Sequence, residues 1–272
     1  MAIASLMVKW FAHLYGKGVL PNGGDLLELG PQDVFTPPYV IGSIAHQCMG
    51  PVEASRRLLA LFPENGRELD QRQLYRLFGI ENYSSIDLND PRADWSFDLN
   101  QPVSLPRQFD LVTNFGTGEH VFNIGQLFRN IDGFLRDGGV ALHVLPAFLD
   151  PEHGYYNIHP RLYFDLARSN QYKVEDFAYV DNFGVRSERL NESAGIGEDF
   201  ADLPITAADI YQAGLARKVL GRFLANLEET ETERITRSRG TVFFDYCFVA
   251  LRKQPRGNNV PFAYPIEGGW LR

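Results

Sequence analysis

The sequence predicts an α/β fold, a mainly parallel sheet with helices on both faces. Three observations lead there. Short segments that read as strands and carry an acid or an amide at or near their ends, at 25–29, 82–90 and 109–114, alternate with stretches of helical spacing, the pattern of strands joined by helical crossovers. Two of these runs open into glycine-bearing turns, Gly30-Pro31 and Gly116-Thr117-Gly118, at the strand ends where open α/β sheets hold ligands. The chain of 272 residues is 44 % apolar and 13 % aromatic, enough to bury the core of a single large domain.

Taken in order, residues 3–15 carry apolar side chains at 3, 6, 7, 10, 11 and 14, which is helix spacing. Gly16-Lys17-Gly18 ends that helix, and Pro21-Asn22-Gly23-Gly24 leads into a first strand at 25–29. Thr36-Pro37-Pro38 breaks the chain, and helices are expected at 40–48, 51–62 and 70–78, with Pro51 at a tolerated first-turn position. A strand–helix–strand unit needs only about 30 residues. The segment 35–82 therefore reads as a helical insertion beside the ligand face, turned to substrate or to a second subunit. Strands follow at 82–90, 94–99 and 109–114, a helix at 122–135, a strand at 139–146, a helix at 160–169 and a strand at 172–180. Residues 206–227 read as a long helix inside a second insertion, 184–240, whose end, 228–240, is a charged connection. The last strand is 241–252, and the tail 254–272 is rich in Pro, Gly and Asn. Counting the strands gives a seven-stranded sheet in one domain, preceded by an N-terminal segment, 1–23.

Composition excludes several classes. A net charge of −8 gives no bias toward nucleic acid or an anionic membrane. Arg234, Arg237 and Arg239 form a basic patch, but it follows glutamates and reads as solvated surface. Cys48 and Cys247 form neither a disulfide framework nor a metal-binding spacing, and read as reduced thiols of a cytoplasmic protein. The apolar start, residues 1–10, lacks a basic leader, and no apolar run approaches the roughly 18 residues of a membrane span.

The first motif is Gly24-Asp25-Leu26-Leu27-Glu28-Leu29-Gly30-Pro31-Gln32-Asp33, a buried strand running into a tight turn. Gly30 allows close approach of a ligand to the backbone, and Glu28 can accept from ammonium or hydroxyl groups. With Asp87, Asp98 and Asn114 ending the following strands, this layout resembles the class I S-adenosylmethionine-dependent methyltransferases over roughly 25–180 and the final strand. The resemblance departs from that family's fullest motif, since no glycine stands at 32 or 34. It implies a Rossmann-like sheet with an antiparallel last strand, S-adenosyl-L-methionine as cofactor and a small-molecule acceptor. It further implies that Glu28 meets the ammonium of the methionine end or orients the loop that does, with Gly30 and Pro31 beside it, that Asp87 takes the ribose hydroxyls, that Leu88 packs on adenine, and that Asp98 sits beside the adenine amino group with the backbone of Leu99, Asn114 lining the same cleft. Plainer roles stay open: Asp87 and Asp98 each suit an Asx turn or a helix cap.

Four of the six histidines fall between 120 and 159. Imidazole is the side chain best suited to proton transfer near neutral pH. Glu119 and His120 follow the glycines after the fourth strand, and His153 follows the fifth. These three are the candidate catalytic residues. His143, Tyr155, Tyr156, Asn157 and His159 are candidates for substrate binding. Glu119 also suits a helix-start acid, and each histidine a packed structural role. The spacing of His143, His153 and His159 matches no recognised zinc motif, so no metal is expected. Rival functions are a nicotinamide-dependent oxidoreductase, which lacks its Gly-x-Gly-x-x-Gly here, and a non-catalytic binding protein. The helical insertion and the long last strand could each build a homodimer face.

Overall fold

The computed structural model describes residues 2–61, 69–148, 154–180, 186–187, 245–256 and 260–265. The helix expected at 206–227, the charged connection after it, the arginines at 234, 237 and 239, and His153 lie outside them. The elements are β1 (Ala2–Ile3), α1 (Ser5–Gly16), β2 (Asp25–Leu29), β3 (Asp33–Val34), α2 (Pro38–Met49), α3 (Pro51–Leu61), α4 (Gln71–Leu77), β4 (Asn82–Ile86) and β5 (Phe109–Phe115). A 3-10 turn, Gly118–His120, precedes α5 (Ile124–Phe134), β6 (Leu135–Phe148), α6 (Arg161–Asn170), β7 (Tyr172–Val180), β8 (Arg186–Ser187) and β9 (Asp245–Lys253).

The sheet runs β4-β2-β5-β6-β9-β7-β8. β4, β2, β5 and β6 are parallel neighbours. β9 inserts antiparallel between β6 and β7, as expected for the last strand. β8 is a two-residue edge on β7. This is the Rossmann-like fold that the first motif implied. A separate parallel pair, β1 with β3, ties the start of the chain to the loop after β2.

The strand expected at 94–99 does not form. Only one bridge, Ile86 to Trp95, remains of it. The cause is local: Asp94 Oδ2 accepts the Ser85 backbone N–H at 2.8 Å, and Ser85 O accepts from the amides of Asp94 and Trp95. A side chain thus takes the edge donor of β4 that a neighbouring strand would have used.

β2 shows how the alternation of a strand sorts side chains. Leu26 joins a core layer with Val8, Phe11 and Leu14 of α1, Ile41 and Ala45 of α2, Ala54 of α3 and Leu74 and Leu77 of α4. Leu27 and Leu29 face the other layer, with Leu127 and Ile131 of α5 and Tyr163 and Leu166 of α6. The described helices of the segment 35–82, α2, α3 and α4, therefore cover one sheet face. Asp70 and Gln73 form a reciprocal capping box that starts α4. α4 matters for the site, because Glu28 shares its face of β2 with Leu26 and so lies beneath it.

Candidate functional site

Three loops meet at the carboxyl ends of β2, β4 and β5 around a cavity of about 320 Å³. Gly30, Pro31 and Gln32 come from the first loop, Asp87, Asp90 and Arg92 from the second, and Gly116, Thr117 and His120 from the third. That volume is at the low end of the roughly 300–1,000 Å³ of small-molecule sites.

Gly30 is needed twice over. Its φ is +72°, and a Cβ there would lie 2.9 Å from Thr117 Oγ1 and 3.4 Å from Asp87 Oδ2. Thr117 donates its hydroxyl to Leu29 O at 2.6 Å, so the loop after β5 closes on the end of β2. Asp87 divides its carboxylate. Oδ1 accepts the backbone N–H groups of Asn89 and Asp90 at 2.7 and 2.9 Å, an Asx turn, while Oδ2 is the atom directed at Gly30. Arg92 fastens the first two loops together. Its guanidinium meets the Asp90 carboxylate, Asp33 Oδ1 at 2.6 Å and Pro31 O at 3.2 Å.

Glu28 does not line the cavity. It is 0 % exposed. Oε1 accepts from Tyr75 Oη at 2.5 Å, and Oε2 accepts from Tyr83 Oη at 2.6 Å and from the Gln32 N–H at 3.1 Å. Burial pushes its carboxyl up to about 7, against the downward pull of those three donors. Of the two roles expected for Glu28, direct contact with a ligand ammonium is not seen, and orientation of the loop is: the carboxylate is committed inside the protein and holds the loop through the Gln32 N–H.

The adenine-side expectations also change. Asp98 Oδ1 accepts from the backbone and side-chain nitrogens of Asn100, so it caps a turn. Leu99 is buried in the core, and its carbonyl accepts from Asn130. Leu88 is 53 % exposed, and none of the three lines the cavity.

Behind β5 and β6 the polar residues turn inward. Asn114 Oδ1 accepts the Gly118 N–H at 2.9 Å, and its Nδ2 donates to His143 Nδ1 at 3.2 Å, which leaves the ring proton on Nε2. Asn114 thus shapes the third loop without lining the cavity. His143 is 1 % exposed, and its ring lies 5.5 Å from that of Phe128 and 5.3 Å from that of Tyr163. Burial pushes its imidazole down to about 3, so it stays neutral. It is a core residue, which corrects its assignment to substrate. Glu119 is buried too. Its carbonyl accepts the Tyr155 N–H at 2.6 Å, and a Cβ on Gly154 would lie 2.7 Å from its Cγ. So the loop after β6 is clamped on the 3-10 turn, with Tyr156 Oη donating to Phe122 O at 2.6 Å. His159 Nδ1 accepts the Arg161 N–H at 3.2 Å. Tyr155 and Asn157 are exposed, and none of 155–157 or 159 lines the cavity.

The structure therefore gathers Gly30, Pro31, Asp87 and His120 from the expected residues. Gln32, Asp90, Arg92, Gly116 and Thr117 join them unexpected. The glycine-bearing turn at 116–118 was a visible signal for two of these. Arg92 had none, because Asp33 and Pro31 are about sixty residues away and adjacent only after folding. Among the described residues, no group of three or more His, Cys, Asp or Glu is arranged to hold a metal ion. No helix among them is long and apolar enough to cross a membrane.

No protein-family model matches the chain, and no curated relative does. Solved structures resemble it in fold. The 1,6-didemethyltoxoflavin-N1-methyltransferase of Burkholderia thailandensis, solved with 1,6-didemethyltoxoflavin and S-adenosylhomocysteine, is 11 % identical over 92 % of this chain and 79 % of its own, with a TM-score of 0.45. The N-methyltransferase NodS of Bradyrhizobium japonicum is 10 % identical over 91 % of this chain and 94 % of its own, at 0.41. The cyclase SpnF is 15 % identical over 91 % and 81 %, at 0.39. At such identities and scores these proteins leave the chemistry of this chain to its own residues.

Proposed function

We propose that the chain is an S-adenosylmethionine-dependent methyltransferase acting on a small-molecule acceptor. The observation that supports this most is the pairing of Asp87 with Gly30. An ionised carboxylate is acceptor-only, and Oδ2 lies against Gly30 on the wall of the cavity that both residues line. A ribose diol is a ligand with two hydroxyl donors for such an oxygen. No phosphate-type glycine loop adjoins it, which favours a nucleoside cofactor over a dinucleotide. Gly30, Pro31 and Gln32 fit the amino-acid end, while the adenine side is left to residues other than Asp98 and Leu99.

The cofactor, once bound, supplies an already activated methyl group on sulfur. What remains for the protein is alignment of the acceptor and exclusion of water. His120, on the cavity wall after β5, is our candidate for taking a proton from a hydroxyl or amine acceptor. A base is needed only where the acceptor oxygen or nitrogen still carries the proton that must leave.

Calorimetry tests the proposal. The protein should bind S-adenosylmethionine or S-adenosylhomocysteine at least about tenfold more tightly than NAD(H), a difference near 1.4 kcal/mol. The reverse preference would end it.

A further inference from the structure

We infer that Gln32 is the residue that reads a donor group, an ammonium, on the bound nucleoside cofactor, and that Tyr75 and Tyr83 position it through Glu28. The inference rests on the proposed cofactor class and adds the residue and the mechanism of its placement.

Gln32 is 2 % exposed and lines the cavity. Its backbone N–H is held by Glu28 Oε2, and its side-chain Nε2 donates to Gly30 O at 2.8 Å. That second bond fixes which way the carboxamide faces, since the flipped amide would set oxygen against oxygen. Oε1 then has no hydrogen-bond partner among the described residues. A buried acceptor without a donor is costly, and a ligand donor arriving in the cavity would relieve it after a small side-chain rotation. An ammonium offers three donors and no acceptor, and Glu28, filled by two tyrosines and the Gln32 N–H, is not open to it.

The geometry behind Gln32 is equally specific. Tyr75 comes from α4 and Tyr83 from β4, and their rings stack 6.0 Å apart. The Arg72 guanidinium lies over the Tyr83 ring at 4.5 Å. Three donors thus converge on Glu28 from three segments: α4, β4 and the loop itself. They are matched to an ionised carboxylate. Arg92 adds favourable charge from outside the cluster. A proton on Glu28 would turn one of its oxygens into a donor, so one of the three bonds must then reverse onto a tyrosine oxygen or yield. The carboxyl, raised by burial from 4.5 to about 7, protonates as pH falls through about 7. A raised acid means that the folded state holds the proton between those values. Stability is then lost as pH rises across that window, while the loop becomes ordered. The Gln32 amide should be best protected above pH 7.

The test uses the whole chain and two ligands, S-adenosylhomocysteine and 5′-methylthioadenosine, which lacks the amino acid. Gln32→Leu should weaken the first by about tenfold or more and leave the second within about twofold. Tyr83→Phe, at a half-buried position, should reproduce the selective loss in part and speed hydrogen exchange at the Gln32 amide. In the wild type, affinity for S-adenosylhomocysteine alone should fall between pH 8 and 6, and Glu28→Gln should flatten that profile. Each variant is first checked for its fold by circular dichroism. If the wild type binds neither ligand, the proposed function fails, and Gln32 exchange in Tyr83→Phe still reports on the positioning. If the wild type binds both and Gln32→Leu weakens them equally or not at all, the inference is overturned. Gln32 exchange unchanged in Tyr83→Phe overturns the role of the tyrosines.

Discussion

The ends of β2 and β4 and the ends of β5 and β6 look alike in sequence and behave differently in structure. Both pairs carry acids, amides and glycines just past a buried strand. After β2 and β4, Asp87 spends one carboxylate oxygen on its own turn and presents the other across Gly30. After β5 and β6, Asn114 spends its whole amide internally, on Gly118 and His143. The difference lies in the faces. Asn114 and His143 lie on the side of the sheet covered by α5 and α6, with Phe128 and Tyr163 against the imidazole. The ends of β2 and β4 instead run into turns that open on solvent. A polar residue is a ligand-binding candidate when part of its hydrogen-bonding capacity faces space, and a cluster of histidines in sequence says nothing about that.

The largest effect that would sharpen this contrast is His143→Ala. Removing a buried ring and leaving Asn114 without its acceptor should lower stability by about 2–5 kcal/mol. Affinity of the folded protein for S-adenosylhomocysteine should stay within about twofold. Chemical denaturation and calorimetry on one preparation would show both. A His143→Ala protein of wild-type stability and lost affinity would move that histidine back to the site. Its pH signature is distinct. An imidazole held down to about 3 when folded, against 6.5 ordinarily, refuses a proton that the unfolded chain accepts. Wild-type stability should therefore erode as pH falls from 6.5 toward 3, and the variant should lack that erosion.

The central strands were legible because burial on both faces leaves apolar runs, and β2, β5 and β6 lie where those runs are. The antiparallel last strand was legible only through the resemblance. The strand at 94–99 was misread because Trp95 and Phe97 look like strand residues, while the Asp94 side chain takes the edge of β4. At the site, Gly30 and Asp87 were readable from their neighbours in sequence. Arg92, Thr117 and the Tyr75–Glu28–Tyr83 cluster were not, since each is made by contacts tens of residues apart. Glu28 was read as either a ligand contact or a hold on the loop, and the choice between them was not legible. A strand-end acid looks the same whether a ligand or a tyrosine on the crossover helix will satisfy it.

Asp87→Ala should act on the other side of the contrast. Losing the oxygen over Gly30 should weaken cofactor binding by about 1–3 kcal/mol. Loss of the Asx turn to Asn89 and Asp90 adds a stability decrease of about 1 kcal/mol. Asp87→Asn separates the two. Its amide oxygen keeps the turn, and its nitrogen, placed over Gly30, repels hydroxyl hydrogens. Stability should return in that variant and affinity should not. Recovery of affinity along with stability would leave Asp87 as a turn residue alone.

The smallest effect, and the one that decides what the cavity is for, belongs to His120. It is exposed on the 3-10 turn and lines the cavity beside Thr117. Surface substitutions of this kind change stability by no more than about 0.5 kcal/mol. His120→Ala should therefore fold as well as the wild type and bind S-adenosylhomocysteine within about threefold. If His120 takes the acceptor's proton, turnover should fall by about a hundredfold, the lower end for general-base loss, and the fall should appear in kcat more than in KM. An acceptor that is already deprotonated, such as a thiolate, should escape most of the loss. The comparison needs no knowledge of the natural substrate, only two acceptors of matched size that differ in acidity. Equal losses on both would mean that His120 shapes the cavity wall and moves no proton. With Asn114, Glu119 and His143 committed to the interior, no other titratable group of the β5–β6 side would then line the cavity among the described residues. The transfer would rest on alignment alone.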